Sequence, residues 1–124
     1  MSNITQETIQ ELNLELIRRA SFNNFNGAKV AEDLLNNHNL WEGAIIDREG
    51  YSHSINLIKL RDISDNDWNV DTLFILPLRG QEQPLEELAA NWNADELSWI
   101  DAETSNSLPG GDAWARRILR VWWD

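Results

Sequence analysis

The segment Asp112–Asp124 reads DAWARRILRVWWD, and whether it is a helix or a strand decides what the rest of the chain can pack against. As a helix capped by Asp112, it gathers Arg116, Arg117 and Arg120 into one polar arc, with Trp114, Ile118, Val121 and Trp122 on the opposite side. As a strand from about Arg116, it sends Ile118, Arg120 and Trp122 to one face and Leu119, Val121 and Trp123 to the other. RILRVWW is apolar on both faces and rich in the β-branched and aromatic residues that pleated surfaces favour, so an interior strand is the expected element. Trp122 and Trp123 then point to opposite sides of a sheet, and both are enclosed only if both sides are covered. An indole left exposed beside Arg120 makes the residue pair most often found at the energetic centre of a protein interface.

Working back along the chain, the preceding segments supply partners for such a strand. WEGAIID (41–47) is a short apolar run closed by the turn-prone DREG, and DTLFILPL (71–78) is a continuous apolar run stopped by Pro77. In SINLIKLRDI (54–63), Ile55, Leu57, Ile58, Leu60 and Ile63 scatter around a helical wheel, which predicts a strand covered on both faces. DELSWIDA (95–102) alternates weakly and is read as a further strand, followed by the loop ETSNSLPGG.

Helices are expected elsewhere. Asn3 or Thr5 can cap a first helix running to about Ala20, with Ile9, Leu12, Leu16 and Ala20 as its apolar stripe. Glu7, Glu11 and Glu15 near its start and Arg18-Arg19 near its end follow the order that the helix dipole favours. Asn26 reads as the N-cap of a second helix, with Phe25 and Val30 forming a hydrophobic staple across it and Ala31, Leu34 and Leu35 facing inward. PLEELAANW (84–92) reads as a third helix, with Pro84 in the first turn and Leu85, Leu88, Ala89 and Trp92 on one face. The order α-α-β-β-β-α-β-β predicts an α+β fold: a single two-layer domain over residues 1–124, with a mostly antiparallel sheet of about five strands, an N-terminal helical pair and one later helix.

Composition narrows the function classes. At 42% hydrophobic residues the chain carries enough apolar surface to offset the entropy of ordering, and its 124 residues suit one core. Cysteine is absent, which excludes disulfides and thiolate metal sites and suits a reducing compartment. The first residues carry no basic start followed by an apolar run, and no stretch has the length a bilayer needs, so a cytoplasmic location is expected. The net charge is −11, and residues 62–103 hold eleven acidic groups against one basic. A field of that sign repels phosphate backbones and anionic membranes and attracts basic protein surfaces. A protein partner of basic character is therefore expected, rather than nucleic acid or membrane.

Chemical motifs are sparse. There is no glycine-rich phosphate loop, no His-Glu-x-x-His and no Gly-x-Ser-x-Gly, and no cofactor is expected. RDISDNDWNVD (61–71) spaces Asp65, Asp67, Asn69 and Asp71 like the opening of a calcium loop, but Val70 stands where the sharp turn needs glycine and Leu76 where a bidentate Glu is required. A solvated loop whose Asp and Asn side chains bond their own backbone fits better. His53 lies near Asp47 and Glu49, and a hairpin there would make a general acid-base pair for a small hydrolase or isomerase, although no nucleophile or oxyanion donor can be placed beside it.

Seven tryptophans are more than so small a core easily encloses, since each indole N–H also needs an acceptor. Four or five are expected in the core and two or three partly exposed. The leading expectation is a non-catalytic interaction module of inhibitor, immunity-like or adaptor type, presenting Asp65, Asp67, Trp68, Asp71, Arg120 and Trp123 to a basic partner. Self-association into a homodimer through an exposed C-terminal strand, with Arg116, Arg117 and Arg120 opposite the acidic block, is the partner-free alternative.

Overall fold

A computed structural model describes residues 8–48, 53–68, 70–101 and 117–124. The fold is α+β, with helices α1 (Ile9–Arg19), α2 (Gly27–Asn36), α3 (His53–Ile63) and α4 (Glu82–Ala89). Strands β1 (Ser21–Phe22) and β2 (Phe25–Asn26) form a small hairpin between the first two helices. Strands β3 (Trp41–Asp47), β4 (Thr72–Pro77), β5 (Glu96–Ile100) and β6 (Ile118–Trp122) form an antiparallel four-stranded sheet in the order β3-β4-β6-β5. The C-terminal segment is thus the interior strand that its two apolar faces imply. Leu73 pairs with Val121, which also faces Leu97, and Ile75 pairs with Leu119, which also faces Trp99. β6 is hydrogen-bonded along both sides, so the exposed edge expected of the C-terminal strand is not present over Ile118–Trp122.

One face of the sheet carries Ala44, Ile46, Leu73, Ile75, Leu119 and Val121 into a single buried cluster. The cluster also contains Leu14 and Ile17 of α1, Val30, Ala31 and Leu34 of α2, and Leu85 and Ala89 of α4. Local signals place these helices well. Asn26 caps α2 by accepting the Lys29 N–H at 3.2 Å, and Phe25 and Val30 are both buried across the cap. Pro84 sits in the first turn of α4, where its missing N–H leaves no hydrogen bond unmade.

The inward face of α1 differs from expectation. Thr8 caps it in a capping box with Glu11; Asn3 and Thr5, proposed as caps, lie outside the described residues. Of the expected stripe, Leu16 and Ala20 pack partly buried against the core and Ile9 and Leu12 are exposed, while Leu14 and Ile17 are buried, so the helix is turned partly away from that stripe. The rotation brings Gln10 to the sheet edge. Its carboxamide donates to the Ala44 carbonyl at 2.7 Å and accepts the Ala44 N–H at 2.9 Å. A side-chain amide thereby stands in for a neighbouring strand at the edge of β3, the position where an unpaired backbone invites aggregation. Leu35 of α2 is likewise exposed rather than inward.

The expected strand over 54–63 is helix α3, which leaves four strands in the main sheet instead of five. Among its described side chains the most covered is a charged one, with Ile58 half-buried beside it. The helix buries Lys59, which pairs with Asp47, and leaves Leu57, Leu60 and Ile63 more than half exposed. Leu, Lys and Arg still favour helical backbone there whatever the burial. The inference from scattered periodicity to a strand assumed that apolar residues mark the covered face, and here a charged one does.

Gly27 marks the closest approach between α1 and α2. Its N–H donates to the Ala20 carbonyl at 3.0 Å, and a Cβ at this position would lie 1.9 Å from the Ile17 oxygen and 2.1 Å from the Ala20 oxygen. Both obstacles are backbone, so relief requires the helices to separate. Gly27→Ala is expected to destabilise the protein by about 1–3 kcal/mol, the usual cost of forcing extra volume into a packed contact. Chemical denaturation followed by tryptophan fluorescence measures it, and an unchanged midpoint would show that the two helices are not held at this distance.

Candidate functional site

The six described indoles divide by what accepts their N–H. Trp41, Trp92 and Trp123 are buried. Trp41 donates to the Leu34 carbonyl at 2.8 Å, Trp92 to Asp33 at 2.9 Å and Trp123 to the Trp92 carbonyl at 2.9 Å. Trp99 and Trp122 are partly exposed and donate to carboxylates, Trp99 to Glu86 at 2.8 Å and Trp122 to Asp71 at a longer 3.4 Å. Three indoles thus draw on the acidic residues as acceptors, so part of the negative charge serves the packing of large rings. Trp68 differs. It packs partly buried against the core, and its Nε1 is the one buried side-chain polar atom among the described residues with no hydrogen-bond partner. Trp114 lies outside the described residues.

The two neighbouring indoles of β6 have opposite fates. Trp122 shares the second face of the sheet with Ile118 and Arg120, and all three are half-buried. Trp123 turns to the covered side and is wholly enclosed, with its ring 4.3 Å from that of Phe25 and its backbone N–H donating to the Asp71 carbonyl at 3.1 Å. It has no surface to offer a partner, which corrects its expected role as a binding anchor. Arg120 also departs from expectation. It extends across the second face to Ser98 Oγ at 3.5 Å and Glu96 at 3.7 Å, with its side chain only 12% exposed, and it holds strands together there.

Asp67, Trp68 and Asp71 are brought together, with the enclosed Trp123 beneath them. They line an open groove of about 980 Å³ at the end of the sheet where β4 begins and β6 finishes. Leu16, Arg19, Ala20 and Phe22 form the wall from α1 and β1, Ile63 and Asn66 join from the end of α3, and Trp122 and Asp124 come from the C-terminal segment. Asp65 is exposed on the same turn as Asn66 and Asp67. The turn has a local cause. Asn66 takes a left-handed φ of 60°, its N–H donates to the Ile63 carbonyl at 2.9 Å, and the Asp67 N–H reaches back to the Asp62 carbonyl at 3.0 Å. This is a Schellman ending of α3 with asparagine in the place glycine usually takes, and it turns the chain so that Trp68 meets the core.

Charges along the groove differ in how far they are already satisfied. Arg19 shares the Glu15 carboxylate with Arg18. Asp71 accepts the Thr72 hydroxyl at 2.8 Å as well as the Trp122 N–H. Among the described residues no side-chain hydrogen bond or ion pair ties Asp67, which is exposed. Beside the groove, the buried Lys59 ammonium pairs with Asp47 and lies 5.2 Å from the centre of the Trp68 ring, so one face of that indole is already occupied by a cation.

The second strand of the hairpin expected to bring His53 to Asp47 or Glu49 is instead helix α3, which begins at His53. Asp47 is held instead by Lys59 and by the Arg48 N–H. Glu49 and the His53 side chain lie outside the described residues. Among the described residues no group of His and acidic side chains has the arrangement of a metal site, and no helix is long and apolar enough to cross a membrane. Trp122 was the residue missed as a groove indole. Its position follows from strand alternation, but which of the two faces is covered by helices was not available from the doublet itself.

Two outcomes follow. Trp123→Ala is expected to cost about 3–5 kcal/mol of stability, measured by denaturation, and a near-wild-type midpoint would place that ring outside the core. Hydrogen bonds and charge from Arg18, then Arg19, hold the Glu15 carboxyl at about 2, well below its ordinary 4.5. A lowered folded-state pKa contributes stability that is complete above about pH 4.5 and is lost as pH falls toward 2. The carboxylate is about a third exposed, so the effect stays below about 1 kcal/mol. Glu15→Gln is expected to flatten this part of the acid limb, and an identical pH profile would show that the pair contributes nothing to folding.

Comparison with protein-family models, with curated proteins and with solved structures finds no match for this chain.

Proposed function

We propose that this protein is a non-catalytic recognition module of inhibitor, immunity-like or adaptor type, acting in the cytosol, and that it binds a basic protein partner at the groove. The observation that carries the reading is the convergence of Asp67, Trp68 and Asp71 with Trp122 on one concave surface. Aromatic rings there supply contact area at little conformational cost, and carboxylates at their edges supply orientation and a long-range attraction for cations. The net charge of −11 has the sign that speeds encounter with a basic surface. Leu60 and Ile63, exposed on α3, extend the contact surface, and Ile63 itself lines the groove. Trp123 acts beneath this surface as support.

The test is affinity capture from the native cell by the immobilised protein, repeated at low and high ionic strength and with an Asp65→Asn, Asp67→Asn double variant. Neither carboxylate has a side-chain partner among the described residues, so the variant should fold normally. Capture is expected to weaken several-fold with salt and by about three- to thirtyfold in the variant, as for two exposed charge pairs. A partner held equally at both salt concentrations and by both proteins would end the reading.

A further inference from the structure

We propose that the groove seats an arginine side chain of the partner, with its guanidinium against the Trp122 ring and its N–H groups donating to Asp67 and Asp71. This rests on the reading of the groove as the partner's site and adds the chemistry of the residue that enters it. Three observations favour a planar cation.

The first is the ring. Trp122 lines the groove and is partly exposed, and its N–H is directed to Asp71, which fixes the indole's orientation. Indole is the most favourable aromatic surface for a cation, and a guanidinium stacks on it while still donating hydrogen bonds in its own plane.

The second is acceptor capacity. The Asp67 carboxylate is exposed and has no side-chain partner among the described residues, and Asp71 receives one hydrogen bond of ordinary length from Thr72 and one of 3.4 Å from Trp122. An ionised carboxylate has about four acceptor positions, so Asp71 retains room for a further donor. Two arginines line the groove, and both are engaged: Arg19 by Glu15, which also binds Arg18, and Arg48 by contacts of its own. The carboxylates at this end of the groove are therefore the ones whose charge an incoming group can meet.

The third is internal precedent. Within the same fold the Arg117 guanidinium lies 4.7 Å over the Trp99 ring while the Trp99 N–H donates to Glu86, an arrangement of arginine, indole and carboxylate. Lys59 also lies over an indole, that of Trp68, but there the carboxylate of Asp47 pairs with the ammonium and not with the indole N–H. Trp122 with Asp71 has the indole and the carboxylate, and no cation is seen over its ring among the described residues. Arginine is preferred over lysine because its fork addresses two carboxylates while its plane rests on the ring, whereas an ammonium is a strongly hydrated point charge.

The probes are three blocked tripeptides, Gly-Arg-Gly, Gly-Lys-Gly and Gly-citrulline-Gly, the last being nearly isosteric with arginine but neutral. Each is titrated into the ¹⁵N-labelled protein while the indole N–H resonances are followed. The arginine peptide is expected to shift the Trp122 resonance with saturation in the millimolar range, leaving Trp41 and Trp92 unmoved, since neither lines the groove. The lysine peptide should bind about fivefold more weakly, the citrulline peptide should not saturate, and Asp67→Asn should weaken the arginine peptide by about fivefold. A static Trp122 resonance, equal binding of arginine and lysine, or saturation by citrulline each overturns the arginine proposal. The failure is separable from that of the underlying reading. A captured partner that is lost on Asp65→Asn, Asp67→Asn substitution but is not displaced by Gly-Arg-Gly removes the arginine anchor alone, whereas a partner indifferent to the double variant removes the groove itself.

Discussion

The enclosure of Trp123 is the constraint on which the arrangement depends. Its ring meets Phe25 in the hairpin between α1 and α2, its indole N–H is taken by the Trp92 carbonyl just beyond α4, and its backbone N–H is taken by the Asp71 carbonyl just before β4. One residue thereby ties the helical pair, the end of the third core helix and the start of the central strand to the C-terminal segment. Burying a ring of this size without an acceptor would leave an unpaired donor in a dry interior, so the Trp92 carbonyl is as necessary as the apolar contact. The same anchoring forces Trp122, its chain neighbour, onto the opposite face. The groove exists because one indole is pinned inside and the next must then face outward.

The distribution of negative charge follows a related logic. The acidic stretch is not simply a solvated surface, because Asp71 and Glu86 accept indole N–H groups, as does Asp33 from the earlier helix. Carboxylates suit this role because all three are themselves only partly covered, so water still solvates the remaining lone pairs and the cost of burying charge stays low. Asp95 is used differently, accepting the Asp124 N–H at 2.8 Å and so holding the end of the chain near the groove. Asp65 and Asp67 stand apart from this pattern, exposed on a turn whose geometry Asn66 sets by itself. Their charge has no side-chain task within the described fold, which is why the proposed partner is sought there and not along α4.

Helix α3 shows how far burial can depart from hydropathy. A buried lysine survives in it because Asp47 neutralises the ammonium and the Trp68 ring covers it. Leu57, Leu60 and Ile63 remain outside. Among the described side chains of the helix, Lys59 ties it to the body through a charge pair and a cation over an indole, interactions that depend on geometry more than on area. The apolar residues it leaves exposed adjoin the groove at Ile63.

The elements whose reading required only nearest neighbours were determined by the sequence itself. The Asn26 cap with its Phe25–Val30 staple, Pro84 in the first turn of α4, the WEGAIID and DTLFILPL strands and the two-faced apolar character of Ile118–Trp122 each depend on backbone preferences or on a period of two or 3.6 residues, all of which are local. What only the tertiary structure decided was the identity of the covered face. α1 turns inward a face on which Gln10 meets Ala44, thirty-four positions away, and α3 buries Lys59 against Asp47 of β3. Which indole of the doublet is enclosed depends likewise on Phe25, Trp92 and Asp71, none of them near it in the chain. Periodicity records how residues are spaced along one segment, but the acceptors and surfaces that a face will meet belong to other segments, and only folding brings them together.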